Sequence, residues 1–211
     1  MPQKITTTAT ENQGGIVALD PGVRNFLTYF SEDGRFGWIG IHAFDRILNL
    51  NLKRDHLLSK LALTKDKKKK CNLKRTLNRI YHRIQDLVDE LHWQCINYFV
   101  HNFSVIVFPP FEVKGMTKKV RKLRKSVVRS MLSLRFFEFK ERLKLKCKEC
   151  GVLFVEQNES YTSKTNSFNG ELMSNLGSKE WFMYDGIKVH RDLNTARNIL
   201  IRAMRDSSAA S

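Results

Sequence analysis

The chain has 211 residues, of which 42% are hydrophobic, enough to bury one good core. Lys and Arg exceed Asp and Glu by 37 − 21 = 16. We therefore expect a polyanionic partner, with nucleic acid first and an anionic membrane surface second. No apolar stretch approaches the ~18 residues of a membrane span, and the N-terminus lacks a basic segment followed by an apolar one, as a secretory signal would have. Four cysteines do not indicate a disulfide scaffold and favour a reducing intracellular setting, nucleus or cytoplasm.

The first part of the chain predicts a strand meander after a polar, flexible lead-in over 1–13. The apolar run 16–19 predicts a buried strand that ends at Asp20, where a Pro-Gly turn signal follows. Two more predicted strands, 25–30 and 35–40, are joined by a Ser-Glu-Asp-Gly hairpin turn. These three strands begin a single folded domain.

The remainder of that domain, which extends to residue 211, alternates helical and strand patterns. The predicted elements are a helix over 42–63, a basic helix-hairpin tip over 63–72, a long helix over 73–99, a strand over 103–108, a helix from 131 to 150, a strand over 152–155, a polar irregular insert over 160–190 and a helix over 192–204. With the meander, this order predicts an α/β fold of the RNase H-like class, a mixed sheet flanked by helices.

Acidic residues occur where these predicted elements end or begin. They are Asp20 after the first strand, Glu112 after the fourth, Glu159 after the fifth and Asp192 at the start of the last helix. Such carboxylates, once brought together, need cations between them. Oxygen ligands without a histidine cluster indicate Mg²⁺ or Mn²⁺, and two such ions would clamp a scissile phosphodiester. Taken alone, the Asp-Pro-Gly sequence favours the alternative that Asp20 only caps its own turn.

Two basic segments predict a phosphate-binding surface. The first, at the helix-hairpin tip and along the helix that follows, contains Lys65, Lys67, Lys68, Lys69, Lys70, Lys74, Arg75, Arg79 and Arg83. The second contains Lys118, Lys119, Arg121, Lys122, Arg124 and Lys125. The alternative interpretation of the first segment is a solvated hairpin tip with no ligand.

Three motifs carry a family resemblance. They are Leu-Asp-Pro-Gly-Val-Arg-Asn at 19–25, Asn-Glu-Ser-Tyr-Thr-Ser-Lys-Thr at 158–165 and Arg-Asp-Leu-Asn-Thr-Ala-Arg-Asn-Ile at 191–199. Together they resemble the RuvC nuclease domain of the TnpB and Fanzor proteins, the transposon-encoded RNA-guided nucleases. Shorter segments at 88–93, 110–116 and 129–132 are similar to the Fanzor-like branch.

The resemblance implies a metal-dependent DNA endonuclease guided by RNA, with Asp20 and Asp192 as metal ligands. Relatives usually place a glutamate directly after the fourth strand, where this chain has Pro109. Glu159 is then the preferred third ligand and Glu112 the second choice, since the turn could bring it into the site. The alternative for Glu159 is a surface carboxylate that bonds only to its own loop.

The family's zinc-binding insert is the first departure from the pattern. Where relatives have four cysteines, this chain has Asn166, Asn169, Phe182 and Asp185, so we expect no zinc and an insert held by packing or partly disordered. The pair Cys147 and Cys150 has the spacing of half a zinc knuckle, but no second pair follows it. We interpret both as buried or incidental thiols.

The second departure is length. Only about fifteen residues precede the first predicted strand, whereas relatives have a sizeable region there that binds guide RNA. Two functions follow as hypotheses. One is a Mg²⁺-dependent DNase that uses a guide RNA and a separate protein supplying the missing region. The other is a domesticated nucleic-acid-binding or structural subunit of a larger nucleoprotein assembly, with weak or no cleavage.

Overall fold

A five-stranded mixed sheet forms the centre of the protein, in the order β3-β2-β1-β4-β5. The computed structural model describes residues 14–110, 125–157, 164–173 and 180–209. The strands are β1 (Ile16–Pro21), β2 (Leu27–Ser31), β3 (Phe36–Ile39), β4 (Val105–Phe108) and β5 (Leu153–Glu156). β1, β2 and β3 are antiparallel neighbours, whereas β4 is parallel to both β1 and β5. The predicted meander and mixed sheet are confirmed.

Within the described residues, five helices accompany the sheet. They are α1 (Ala43–Leu63), α2 (Lys67–Asn102), α3 (Lys125–Ser133), α4 (Phe136–Cys150) and α5 (Arg191–Ala209). The side chain of Asp66 accepts a hydrogen bond from the backbone N–H of Lys69 and caps α2. Because α2 begins there, four lysines predicted to lie in the hairpin tip belong to its first turn.

The predicted helix from 131 to 150 is wrong in one respect, because it is two helices. The backbone of Arg135 is left-handed, with φ of 49°, which ends α3 and redirects the chain into α4. Its side chain donates to Asp89 of α2 at 2.7 Å. Apolar spacing alone could not reveal this break, since the contact that accompanies it joins residues 46 positions apart in sequence.

Two further boundaries differ from the prediction. β1 does not end before the Pro-Gly signal: Asp20 pairs with Thr28, and Pro21 pairs with Leu27. The insert is not irregular throughout, because β6 (Trp181–Tyr184) and β7 (Ile187–His190) form a hairpin. The Asp-Gly pair at 185–186 turns it, both residues having positive φ, which is a recognised hairpin signal in sequence.

The two faces of the sheet pack against different helices. Because side chains alternate across a strand, Val17 and Leu19 point to one face and join the large core built with α2 and α4. Ala18 and Val107 point to the other face, where they meet Ile199 of α5. The last helix therefore covers the face opposite the main core.

A buried histidine lies at the centre of the main core. His92 is fully buried, and its Nε2 lies 2.9 Å from the carbonyl oxygen of Leu134. Its ring stacks on Phe26 at 5.4 Å. Burial lowers the pKa of His92 to about 4, because desolvation disfavours the charged ring and outweighs the bond to Leu134, while Arg135 and Arg142 lower it further.

Acid should therefore destabilise the fold through His92. Since the pKa is about 4 in the folded protein and 6.5 ordinarily, the unfolded chain binds the proton first as pH falls. The stabilisation is complete above pH 6.5 and is lost progressively down to about 4, by about 2 kcal/mol between pH 7 and pH 5. Urea unfolding of wild type and His92→Phe at both pH values measures this. An equal loss in the two proteins would contradict it.

The prediction that Cys147 and Cys150 are buried thiols is confirmed, because both are buried and neither forms a disulfide. Burial, with a contribution from Cys150, raises the pKa of Cys147 to about 12, so this thiol stays protonated at neutral pH. Among the described residues, no helix has the length and hydrophobicity needed to cross a membrane.

Candidate active site

Asp20 lies on the face of the sheet that α5 covers. It is two residues after Ala18 on β1, and the alternation of side chains puts both on the same face. The side chain is half-buried, and its strand is held by pairing with Thr28, itself buried. β1 thus presents a partly shielded carboxylate toward the helix that carries the second candidate ligand.

A row of residues across the sheet links Asp20 to the start of α5. Asp20 pairs with Thr28, and Thr28 pairs with Trp38 on β3. The ring of Trp38 lies 5.1 Å from that of His190, centroid to centroid. His190 comes directly before α5, and its Nδ1 accepts the backbone N–H of Asp192 at 3.2 Å. The start of α5 therefore lies beside the row that contains Asp20.

The same row reaches the opposite edge of the sheet. Since Ala18, Val107 and Val155 are aligned across β1, β4 and β5, the next positions on this face are Asp20, Pro109 and Gln157. Gln157 is buried, and its side chain donates to Asp206 of α5 at 2.8 Å. α5 is thus tied to the β3 side through His190 and to the β5 side through Gln157.

The third acidic ligand is not settled by this arrangement. Glu112 and Glu159 both lie outside the described residues. Glu156 is an unsuitable substitute, because it forms ion pairs with Lys140 at 2.9 Å and Lys144 at 3.7 Å on α4. Within 14–110, 125–157, 164–173 and 180–209, no group of three His, Cys, Asp or Glu side chains could hold a metal ion.

The chemistry of the two aspartates suits a hard divalent cation. Both offer carboxylate oxygens, the donors that Mg²⁺ and Mn²⁺ prefer. The Nδ1 atom of the nearby His190 accepts a hydrogen bond from the backbone N–H of Asp192, so this nitrogen is already occupied. Asp20 on β1 and Asp192 on α5 are therefore candidate oxygen ligands.

Sequence reasoning missed the residues that hold this arrangement together. His190 is flanked by Trp38 and by Trp181, whose ring lies 4.7 Å from it at 89°. Gln157 fixes the far end of α5. No local pattern marks these residues, because their partners lie in distant parts of the chain. Only the Asp-Gly turn could have been recognised from the sequence, as a hairpin signal, and that hairpin positions Trp181.

The first basic segment forms an exposed face on the α1–α2 hairpin. All nine of its predicted lysines and arginines are exposed, and none forms an ion pair with another residue that the structure describes. Of the second segment, Lys125 is exposed at the start of α3, and the five others lie outside the described residues. The hairpin is therefore a concentration of uncompensated positive charge.

The positions of the family's zinc ligands do not fit a zinc ion. Asn166 and Asn169 offer amides, Phe182 offers an apolar ring, and only Asp185 carries a carboxylate. A structural zinc site needs four thiolate or imidazole ligands in a tetrahedron, and these four residues supply none.

Comparison with known proteins connects this site to a family. The model of the Cas12f1-like TNB domain matches residues 136–199. A protein of Paramecium bursaria Chlorella virus 1 named as a transposase is 32% identical over 205 residues, which is 97% of this chain and 47% of that protein. A TnpB-like protein of Acanthamoeba polyphaga mimivirus is 28% identical over 203 residues, 93% of this chain and 38% of that protein. These matches support the TnpB family as the one that this chain resembles.

The structure agrees with this assignment at the level of the fold. A Cas12f1 chain, solved in complex with sgRNA and target DNA, superposes with a TM-score of 0.57 at 18% identity, over 88% of this chain and 49% of that one. The predicted α/β mixed sheet flanked by helices is thereby confirmed. The chain spans less than half the length of the relatives it matches. Its placement in the Fanzor-like branch stays a prediction.

Proposed function

We propose that this chain is a RuvC-like endonuclease domain that hydrolyses phosphodiester bonds of DNA with Mg²⁺ or Mn²⁺. The observation that supports the proposal is that Asp20 lies on the face of the sheet covered by α5, the helix whose first turn contains Asp192. Two ionised carboxylates near each other would repel, and a divalent cation bound between them would remove that repulsion. The printed description of the Cas12f1 neighbour, with sgRNA and target DNA, supports nucleic acid as the partner class.

The proposed mechanism assigns a separate task to each part of the chain. Asp20 and Asp192 would hold the divalent ions, which when bound stabilise the attacking and leaving oxygens of the phosphodiester. The pairing of β1 with β2 fixes the position of Asp20. His190 fixes the first turn of α5, because it accepts a hydrogen bond from the backbone N–H of Asp192. The basic hairpin would bind the phosphate backbone of the nucleic acid at a position distant from the scissile bond.

A third carboxylate would complete the ligand set. Glu159 is our first candidate, since it follows β5 and lies two residues beyond Gln157, which belongs to the site row. Glu112 is the second, three residues beyond Pro109. Alanine substitution of each, assayed for cleavage, would assign the ligand: we expect Glu159→Ala to abolish cutting and Glu112→Ala to retain it.

The test of the proposed activity is cleavage of single-stranded and duplex DNA, with Mg²⁺, Mn²⁺ or EDTA. We expect cutting in either metal, and none in EDTA. Because the chain spans under half of its relatives, the assay should be run with and without a family guide RNA and a separately supplied N-terminal region of a relative. Absence of cutting under every condition would contradict the proposal.

A second candidate function is nucleic-acid binding without cleavage, in a domesticated subunit of a larger nucleoprotein assembly. Pro109 favours it, because the site row carries no carboxylate at the position where relatives place their glutamate. Intact binding by a protein that never cuts would establish this alternative. A bound guide RNA and a separate partner protein are proposals under either function.

The basic hairpin yields a prediction that holds for both functions. Replacing Lys67, Lys68, Lys69 and Lys70 with Gln should weaken DNA binding and make the slope of log K against log[salt] shallower by up to about 3–4 units, since each phosphate contact contributes about 0.9. Fluorescence anisotropy over a salt series measures this. The control is the double variant Lys144→Gln with Lys148→Gln on α4, and the change in slope is compared per lysine removed. An equal change per lysine in the two variants would contradict a dedicated phosphate-binding surface on the hairpin.

A further inference from the structure

The segment 164–173 closes on itself through hydrogen bonds at Asn166. This buried residue accepts the N–H of Phe168 on its side-chain oxygen at 3.0 Å. Its carbonyl oxygen accepts the N–H of Gly170 at 2.8 Å, and its own N–H donates to the carbonyl of Glu171 at 2.8 Å. One asparagine therefore organises a tight turn at a position where relatives have a metal-ligating cysteine.

α5 holds that turn with two buried amides. Asn194 and Asn198 are four residues apart and so lie on the same side of the helix, and both donate to the carbonyl oxygen of Thr165, at 2.7 and 2.6 Å. The side-chain oxygen of Asn194 accepts the N–H of Ser167 at 2.8 Å. Because buried amides are costly when unpaired, these bonds fix the turn on the helix.

An aromatic stack connects this first turn to the second, in the β6–β7 hairpin. Phe168 stacks on Tyr184, with ring centroids 5.1 Å apart and an angle of 15°. The guanidinium carbon of Arg197 lies 4.4 Å from the centre of the Phe168 ring. Phe168 lies between Asn166 and Asn169 in sequence, just as Tyr184 lies between the other two former ligand positions. The stack thus joins the two turns that a zinc ion would join.

We propose that this set of contacts takes the place of a structural zinc ion. The Asn194–Asn198 pair, which we call the amide clamp, fixes the first turn on α5, and the Phe168–Tyr184 stack fixes the second turn on the first. Such contacts form without a bound ion, whereas zinc-dependent modules unfold when the metal is removed. The 164–173 segment and the β6–β7 hairpin therefore fold in the absence of metal.

The first test measures metal directly in the full chain, produced in zinc-supplemented medium. We expect no stoichiometric zinc by elemental analysis, and the same melting temperature with and without EDTA. One zinc per chain, together with a lower melting temperature in EDTA, would overturn the proposal. Neither the zinc content nor the melting temperature depends on DNA cleavage. The test of this proposal is therefore valid even if the chain cuts no DNA.

The second test removes the clamp. Asn194→Ala should lower the melting temperature by about 3–6 °C, since it loses two buried hydrogen bonds in a chain of this size, and should speed exchange of the Ser167 amide. Asn194→Asp keeps an acceptor for Ser167 and should leave that amide protected. The matched control is Asn78→Ala, at an exposed position on α2. Unchanged Ser167 exchange in Asn194→Ala would show that the clamp does not hold the turn.

Discussion

Asp20→Asn and Asp192→Asn should each reduce metal-dependent DNA cleavage by about a hundred- to ten-thousand-fold. Each substitution keeps the side chain's shape but removes a charged metal ligand, and metal ions contribute several kcal/mol to the stabilisation of such transition states. Asp20 lies on the face of the sheet that α5 covers, and Asp192 lies in the first turn of α5. The measurement is the single-turnover rate at saturating Mg²⁺.

The control for this pair is Asp185→Asn. It removes the same charge from an exposed turn, and asparagine tolerates the left-handed backbone of that position. We expect a rate within about twofold of wild type, because a surface change away from the metal should cost little. Wild-type rates for Asp20→Asn or Asp192→Asn would remove that residue from the site. An equal loss in Asp185→Asn would indicate a general charge effect.

Phe139→Ala should reduce the free energy of unfolding by about 3–5 kcal/mol, as large-to-small changes in a packed core do. Phe139 is fully buried on α4. It meets Phe26 edge-on, with centroids 5.0 Å apart at 83°, and lies 5.2 Å from the ring of His92. Removing it would leave a cavity where α2, α4 and the sheet meet. We expect the melting temperature to fall by roughly 10 °C.

Phe137→Ala is the matched comparison, two residues away on the same helix. Phe137 is 72% exposed, so its loss should change the free energy of unfolding by no more than about 0.5 kcal/mol. Urea unfolding of both variants separates the burial effect from any effect on helix propensity. Similar losses in the two proteins would mean that α4 presents a different face to the core.

The sequence predicted those parts of the protein that depend on local patterning. The apolar run before Asp20, the hairpin turn after β2 and the helical spacing of α1 and α2 each determine an element without distant partners. The same patterns could not reveal the break at Arg135, because it accompanies an ion pair with Asp89 on another helix.

The ligands of the candidate site stay predictions. The motifs around Asp20 and Asp192 predict both aspartates as ligands, and the order of elements predicts that they converge. The contact between Trp38 and His190 and the bond from Gln157 to Asp206 were not predictable, because each joins residues remote in sequence and depends on strand register. Glu112 and Glu159 stay predictions, since both lie outside the described residues.

The most direct test of the metal-dependent site is a crystal structure of the full chain grown with Mn²⁺, with anomalous scattering recorded near the manganese edge. We expect an anomalous peak for a manganese ion bound by carboxylate oxygens of both Asp20 and Asp192. This peak should be absent in Asp192→Asn. Well-ordered aspartates with no peak between them, or carboxylates too far apart to share an ion, would contradict the proposed nuclease site.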